Sequence, residues 1–115
     1  MKPFSMNALI AGLAVAGAAM AFPAAAADLH EATLVIKDHR FTPAELKVPA
    51  GRKIKLTVIN SDASAEEFES YELNREKVVA GNGRIIVFVG PLRPGTYPYF
   101  GEFHMDTAKG KLIAE

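Results

Sequence analysis

The sequence predicts an all-β protein, a sandwich or barrel built from about seven to eight short strands. The clearest strand is 53–58, where Ile54, Leu56 and Val58 alternate with polar residues. Strict period-2 alternation is typical of a strand with one buried face. Comparable β-rich runs recur along the chain. Gly, Pro and Asn turn signals separate them by about 8–12 residues, which is the spacing of antiparallel sandwiches and barrels.

The first half of the predicted domain contains three strands. Residues 33–36 form a Thr-Leu-Val-Ile run that closes in the polar turn 37–40, where His39 is expected to face solvent. Residues 45–48 alternate between polar and apolar side chains and end at a Pro-Ala-Gly turn, which precedes the third strand. Residues 60–64, Asn-Ser-Asp-Ala-Ser, are predicted to be a loop by composition.

The second half is expected to contain four more strands. Residues 66–73 can form a strand whose phenylalanine points inward, and the charged residues 74–77 that follow are expected to be solvated. Gly-Asn-Gly and Pro-Gly turn signals precede the strands 84–89 and 96–103, and a glycine precedes the last strand, 111–114. These boundaries depend on turn chemistry as well as on alternation.

The first 27 residues have the three parts of a secretory signal peptide. A single positive residue, Lys2, precedes an apolar, Ala-rich run over 8–22, and three alanines at 25–27 supply the small residues of a cleavage site. A retained membrane anchor would need about 20 strongly apolar residues, and this run is shorter. The sequence therefore predicts a signal peptide at 1–27 and a periplasmic domain at 28–115, with no membrane insertion after cleavage.

The predicted domain is nearly neutral and contains no cysteine. Without Lys2, 12 basic residues face 13 acidic ones, a formal charge of −1. This balance gives no indication of a nucleic-acid partner or of an anionic membrane surface. The absence of cysteine excludes disulfides and thiolate chemistry. About 88 residues are enough for one hydrophobic core and too few for two.

The order of motifs along the chain matches a known pattern. The first half has Phe-Thr-Pro at 41–43, Leu-Lys-Val-Pro-Ala-Gly at 46–51 and Leu-Thr-Val-Ile-Asn at 56–60. The second half has Gly-Pro-Leu-Arg-Pro-Gly-Thr-Tyr at 90–97, followed by a loop over 101–110. This order resembles a cupredoxin domain over nearly the whole predicted domain, and the resemblance implies a Greek-key β-sandwich in which the loop is the copper-binding one.

The resemblance also implies where a metal would bind. Cupredoxins hold copper with a histidine from the middle of the chain and with Cys, His and Met from the last loop. The mid-chain histidine position falls at Glu66 and the cysteine position at Gly101. The methionine position falls near Thr107 or Ala108, and only His104 is in place. A blue, thiolate-ligated copper centre is therefore excluded.

Three segments resemble a particular subgroup. They are Glu-Glu-Phe-Glu-Ser at 66–70, Arg-Glu-Lys-Val at 75–78 and Gly-Glu-Phe-His at 101–104. They are similar to the cysteine-less cupredoxin-like proteins of bacterial periplasmic iron-uptake systems, which are related to the cupredoxin domain of EfeO-type lipoproteins. The resemblance implies an iron or copper ion as cofactor. It also implies partners among other components of a membrane iron-transport system, such as a permease and a redox membrane protein.

The acidic strand and the last loop supply the candidate metal ligands. Alternation turns Glu66 inward together with Phe68. Glu67 and Glu69 then lie on the opposite face as a separate acidic surface. Carboxylates with one imidazole make a hard, anionic site, which suits Fe(II), Fe(III), Mn(II) or Cu(II) better than Cu(I). The predicted metal ligands are Glu66, Glu67, Glu69, Glu102, His104 and Asp106.

Each candidate also has an ordinary structural explanation. Acidic residues on a strand commonly form a solvated face, and a histidine at a loop end can simply pack there. Arg75, in the charged segment, could orient a ligating carboxylate. If the signal is cleaved after Ala27, the first three residues of the mature chain, ending at His30, would offer an amine, backbone nitrogens and an imidazole. Cu(II) and Ni(II) favour such a square-planar set.

Three functions are compatible with these residues. The leading one is a periplasmic protein that binds iron or copper in ferrous-iron uptake and assists the transfer or oxidation of the ion, as a metal-binding or redox-assisting component more than as an enzyme. The second is a ferroxidase-type enzyme with its own redox copper, for which one histidine among carboxylates is a thin basis. The third is a metal-free β-sandwich that serves as an interaction module, which the missing cysteine and methionine would favour.

Overall fold

The computed structural model describes residues 29–115, and the predicted signal peptide at 1–27 lies outside the described residues. This part of the chain forms nine strands and one short 3₁₀ helix, Glu102–His104. In chain order the strands are β1 (Leu29–Lys37), β2 (Arg40–Thr42), β3 (Glu45–Val48), β4 (Lys53–Asn60), β5 (Glu66–Ser70), β6 (Arg75–Val79), β7 (Arg84–Val89), β8 (Gly95–Gly101) and β9 (Lys109–Ala114). Within 29–115, no helix has the length and apolar character needed to cross a membrane.

The strands form two sheets that enclose the core. One sheet has the order β2-β1-β4-β7, and the other has the order β3-β9-β8-β5-β6. Two pairings, β1 with β4 and β3 with β9, are parallel. The other pairings, such as β4 with β7 and β5 with β6, are antiparallel. The all-β sandwich prediction is therefore confirmed, and long connections allow the two parallel pairs to form.

Alternating apolar side chains build the core between the sheets. In β4, Ile54, Leu56 and Val58 are fully buried, as their period-2 spacing predicts. Phe68 of β5 and Tyr99 of β8 are also buried, and their ring centroids lie 5.4 Å apart. This aromatic contact packs together the two strands that lead into the candidate site.

Strand β5 is shorter than the sequence predicts. The predicted strand 66–73 ends at Ser70, because the Ser70 hydroxyl donates to Pro98 O at 2.7 Å and accepts from Leu73 N at 3.1 Å. These hydrogen bonds begin a turn that closes at Asn74, whose φ of 55° lies in the left-handed region that asparagine tolerates. The turn reverses the chain into β6.

The charged segment after this turn belongs to a strand, although most of its side chains are exposed as expected. Strand Arg75–Val79 pairs antiparallel with β5, so that Glu76 lies directly opposite Glu69. The predicted strand 96–103 also ends early, at Gly101, immediately before the 3₁₀ helix. The early ends of the predicted strands 66–73 and 96–103 both alter the candidate site, because they determine which acidic residues become neighbours.

Candidate metal centre

Glu66 lies at the start of β5 and is almost completely buried, with 1% of its surface exposed. Its Oε1 lies 2.7 Å from Nδ1 of His104. Its Oε2 accepts hydrogen bonds from the backbone N–H groups of Phe103 at 2.8 Å and of Glu67 at 3.0 Å. An ionised carboxylate can only accept, and with Glu66 ionised Nδ1 of His104 bears the proton of their hydrogen bond. Glu66 thus points inward, as the alternation predicts, and both its oxygens have partners within the protein.

Gly101, at the end of β8, lies against the Glu66 carboxylate. A Cβ atom added to Gly101 would be 2.6 Å from Cδ of Glu66 and 2.7 Å from Cβ of Ala108. The positions that the cupredoxin resemblance assigns to copper therefore do converge, but the carboxylate fills the space between them. With no thiolate and with both Glu66 oxygens hydrogen-bonded, these residues do not fit a blue copper ion.

His39 also belongs to this centre, although the sequence predicts that it faces solvent. It is half-buried, and its ring stacks on the His104 ring with centroids 3.6 Å apart and planes inclined by 13°. His39 lies in the predicted turn and keeps 43% of its side chain exposed, so the expected exposure is met in part. The stacking contact was not predicted, because it joins the β1–β2 turn to the last loop and no local sequence pattern marks it.

Asp62 holds the turn that presents His39. Its Oδ2 accepts a hydrogen bond from His39 N at 2.9 Å, and its Oδ1 accepts one from Asp38 N at 2.8 Å. Asp38 and His39 have φ values of 52° and 58°, as a two-residue hairpin turn of type I′ requires. The hydrogen bond from His39 N is the main cause that holds the pKa of Asp62 below its usual range.

Three carboxylates gather on the outer face of β5 and β6, on the opposite face of β5 from Glu66. One oxygen each from Glu67, Glu69 and Glu76 lies within 4.8 Å of the other two. The register explains the grouping, because Glu69 pairs directly with Glu76 and Glu67 lies two residues away on the same face. Oxygens that bind one hard cation at about 2.0–2.4 Å are at most about 4.8 Å apart. A single ion can therefore reach these three residues, which we call the acidic cluster.

Glu69 lies at the centre of the acidic cluster and is only 9% exposed. Its Oε1 is buried and has no hydrogen-bond partner among residues 29–115. A hydrogen bond with Glu102, burial, and repulsion from neighbouring carboxylates raise the pKa of Glu69 to about 7. Burial and contact with Glu76 also raise the pKa of Glu67. Ionised carboxylates are all acceptors, so this group of side chains needs either protons or a cation between them.

Comparison with known proteins identifies the family of the chain. The sequence profile of the Cupredoxin-like domain matches residues 9–114. The chain belongs to this cupredoxin-like family. A relative, an uncharacterized protein of Rickettsia prowazekii (strain Madrid E), is 47% identical over 86 residues, which make up 75% of this chain and 69% of that protein.

Solved structures similar to this cupredoxin-like domain include copper proteins. Auracyanin A, a blue copper protein of Chloroflexus aurantiacus, matches with a TM-score of 0.66 and 16% identity, over 76% of this chain and 99% of its own. The purple cupredoxin of Nitrosopumilus maritimus matches with a TM-score of 0.58 and 18% identity, over 73% and 99% of the two chains. At these identities the likeness establishes the fold alone.

The geometry of the cupredoxin-like domain divides the predicted ligands into an inner and an outer group. Glu66 and His104 form the inner pair, hydrogen-bonded to each other beneath the last loop. Glu67 and Glu69 belong to the acidic cluster on the outer face, and Glu102 contacts Glu69. The predicted ligands therefore do not surround one position. They form two neighbouring groups on opposite faces of β5.

Asp106 and Glu76 lie in surroundings that differ from those predicted for them. Asp106 is exposed in the last loop and lies outside the acidic cluster. Glu76 was expected only in a solvated segment, but its pairing across from Glu69 brings it into the cluster. The short turn between two acidic runs is the signal that could have revealed Glu76, because a tight reversal makes such runs neighbours.

Arg75 and His30 have structural partners that differ from the chemistry considered for them. The Arg75 guanidinium donates to the backbone carbonyl of Phe88 at 2.8 Å and to that of Asn74 at 2.9 Å, and neither contact orients a carboxylate. His30 lies within β1, paired with Ile54 of β4. A square-planar chelate would have to detach this end of β1 from β4, because backbone nitrogens cannot wrap around an ion and remain in the ladder.

Proposed function

We propose that this cupredoxin-like domain binds a hard metal cation through the acidic cluster, and that it acts in the periplasm as a carrier in ferrous-iron uptake. The observation that carries the proposal is the buried Oε1 of Glu69, which has no donor among residues 29–115 and is surrounded by other carboxylates. A bound cation would give this oxygen a partner and would balance the negative charge of the carboxylates around it.

The chemistry of the acidic cluster favours iron or manganese over Cu(I). Carboxylate oxygens are hard ligands, whereas Cu(I) prefers thiolate and thioether sulfur. Glu76 is exposed while Glu69 is buried, so the cluster is open to solvent on one side. An ion bound there can keep water ligands and exchange them, which suits a protein that takes up an ion and passes it on. The resemblance to periplasmic iron-uptake proteins supports iron as the cargo.

A metal-free interaction module is the second candidate function. The hydrogen bond between Glu66 and His104 favours it, because this bond joins β5 to the last loop without any ion. The two candidates make opposite predictions for cation binding, and a titration distinguishes them.

Calorimetric titration of the purified exported protein with Fe(II) under anaerobic conditions, Fe(III), Mn(II) and Cu(II) tests the proposal. We expect one iron or manganese ion per chain, and at least a tenfold loss of affinity in Glu69→Gln, which keeps the shape of the side chain and removes its charge. Glu31→Gln is the matched control, because Glu31 is exposed on β1 in the other sheet. No stoichiometric binding of any of the four ions, or unchanged binding in Glu69→Gln, would favour the interaction module.

Two further measurements distinguish carriage from catalysis and test the pathway. Oxygen consumption during aerobic Fe(II) titration should not exceed the rate of a protein-free solution for a carrier, whereas repeated turnover would indicate a ferroxidase. Uptake of radioactive iron by a deletion strain should recover with the wild-type gene and not with Glu69→Gln. Equal recovery of uptake with both genes would show that iron uptake does not depend on the acidic cluster.

A further inference from the structure

We infer that Glu66 and His104 form an internal brace that takes the place of a copper ion in joining β5 to the last loop, and that they position the acidic cluster instead of binding the cation. The brace is observed independently of any metal. The positioning role rests on the proposed function.

The hydrogen bonds of Glu66 span the two elements that a cupredoxin metal would link. One bond stays within β5, to Glu67 N, and two reach the 3₁₀ helix, at Phe103 N and at Nδ1 of His104. A buried carboxylate is strongly unfavourable unless its oxygens are paired, and here both are. A cation on Oε1 would have to displace the proton on Nδ1 of His104.

The space at position 101, beside the brace, leaves no room for a side chain. The carboxylate of Glu66 lies where a side chain at Gly101 would begin, and Ala108 closes the other side at 2.7 Å from that point. A thiolate at position 101 and the present arrangement of Glu66 are therefore mutually exclusive. Glycine at this position is what allows the carboxylate to enter.

The ring of His104 is also held from its other side. His39 stacks on it at 3.6 Å, and Asp62 fixes His39 through two backbone hydrogen bonds in the β1–β2 turn. The last loop is thus attached to β5 by the brace and to the first sheet by the stacked rings. Both attachments consist of protein groups alone.

The brace connects directly to the outer carboxylates through the backbone. Glu66 Oε2 accepts from the N–H of Glu67, a member of the acidic cluster, and from the N–H of Phe103. Phe103 follows Glu102, whose side chain contacts Glu69. Groups that orient ligands in this way commonly change metal affinity by about 10–100-fold when removed.

Glu66→Gln tests the brace with a spectroscopic readout. The Gln oxygen can accept both backbone hydrogen bonds, and its amide group must then donate to Nδ1 of His104, which shifts the ring proton to Nε2. By ¹⁵N NMR of the metal-free protein, we expect a proton on Nδ1 in the wild type and none in Glu66→Gln. Glu67→Gln is the matched control and should leave the ring proton on Nδ1. An unprotonated Nδ1 in the wild type, or no change in Glu66→Gln, would overturn the brace.

Titration with Zn(II), used as a diamagnetic probe, tests the positioning role. We expect the Nδ1 proton of His104 to persist at saturation, Glu66→Ala to bind Zn(II) about 10–100-fold more weakly, and Glu66→Gln to recover most of that affinity. Loss of the Nδ1 proton on Zn(II) addition, or a change of the Nε2 chemical shift to that of a metal-bound nitrogen, would show that the metal binds the brace. A failure of Zn(II) to bind contradicts the proposed function and the positioning role, while the metal-free NMR result still decides the brace.

Discussion

Glu69 shows how one oxygen atom can define a binding hypothesis. The strand pattern places its side chain on the outer face, where solvation would be ordinary, but packing buries it beside Glu102 and opposite Glu76. A buried acceptor without a donor is unfavourable, since it loses water and gains no partner. Protonation or a cation relieves this cost, and the two compete for the same oxygen.

The raised pKa of Glu69 gives a pH dependence with a defined sign. The folded-state pKa, about 7, exceeds the ordinary value of 4.5, so the folded protein binds this proton more tightly than the unfolded chain does. Its contribution to stability is complete below pH 4.5 and is lost as the pH rises through about 7. Relative to Glu69→Gln, the metal-free wild type should therefore become less stable over this range.

Urea unfolding of chelator-treated protein at several pH values between 4.5 and 7 measures this difference. Glu31→Gln, on the other sheet, should follow the wild type across the range. A constant difference in unfolding free energy between the wild type and Glu69→Gln would show that Glu69 titrates normally.

At the scale of elements, local patterns could be predicted and pairings could not. Alternation within β5 is enough to turn Glu66 inward, because it needs only neighbouring residues. The position of Glu76 depends on where the turn after Ser70 reverses the chain, and that turn depends on a hydrogen bond to Pro98. The contact of His39 depends on a loop from a distant part of the chain. Long-range geometry of this kind leaves no periodic signal in the sequence.

The junction of β8 with β5 makes a prediction about glycine. In Gly101→Ala, the new methyl group would lie 2.6 Å from Cδ of Glu66, which is overpacking and should lower the free energy of unfolding by about 1–3 kcal/mol. Gly95→Ala, at the start of the same strand, meets its closest neighbour at an ordinary 3.7 Å and should be nearly neutral. Urea unfolding of both variants provides the comparison.

A double-mutant cycle with Glu66→Ala adds a second check on this junction. Removing the carboxylate should reduce the cost of Gly101→Ala, although the contact with Ala108 would keep part of it. Equal costs in the two backgrounds would mean that Glu66 does not limit the space at position 101.

For the whole molecule, composition and strand spacing were sufficient to predict the β-sandwich. They were insufficient to predict how the candidate metal ligands are arranged on it. The fold is shared with copper proteins such as auracyanin A, but function depends on the residues placed on the fold. The absence of cysteine already excludes a blue copper centre. The division between an inner pair and an outer acidic cluster needed the three-dimensional arrangement, because adjacent residues in β5 serve different faces.

Cation binding should appear as a gain in stability of the whole molecule. An ion that binds only the folded state at about 100 times its Kd stabilises that state by about 2.7 kcal/mol. We expect iron or manganese to raise the Tm of the wild type by about 10–20 °C and to leave that of Glu69→Gln nearly unchanged. Differential scanning calorimetry with and without the ion measures the shift, and an equal shift in both proteins would indicate binding elsewhere.

The contact between Glu66 and His104 has a consequence for how the protein resists proteolysis when no cation is bound. In a metalloprotein whose last loop is held in place only by the ion, loss of the ion exposes that loop to proteolysis. Here the loop is held by a hydrogen bond between two side chains of the protein, the carboxylate of Glu66 and the imidazole of His104. Although a bound cation would stabilise the whole molecule, the last loop of the metal-free form should therefore be as resistant to proteolytic cleavage as that of the cation-bound form.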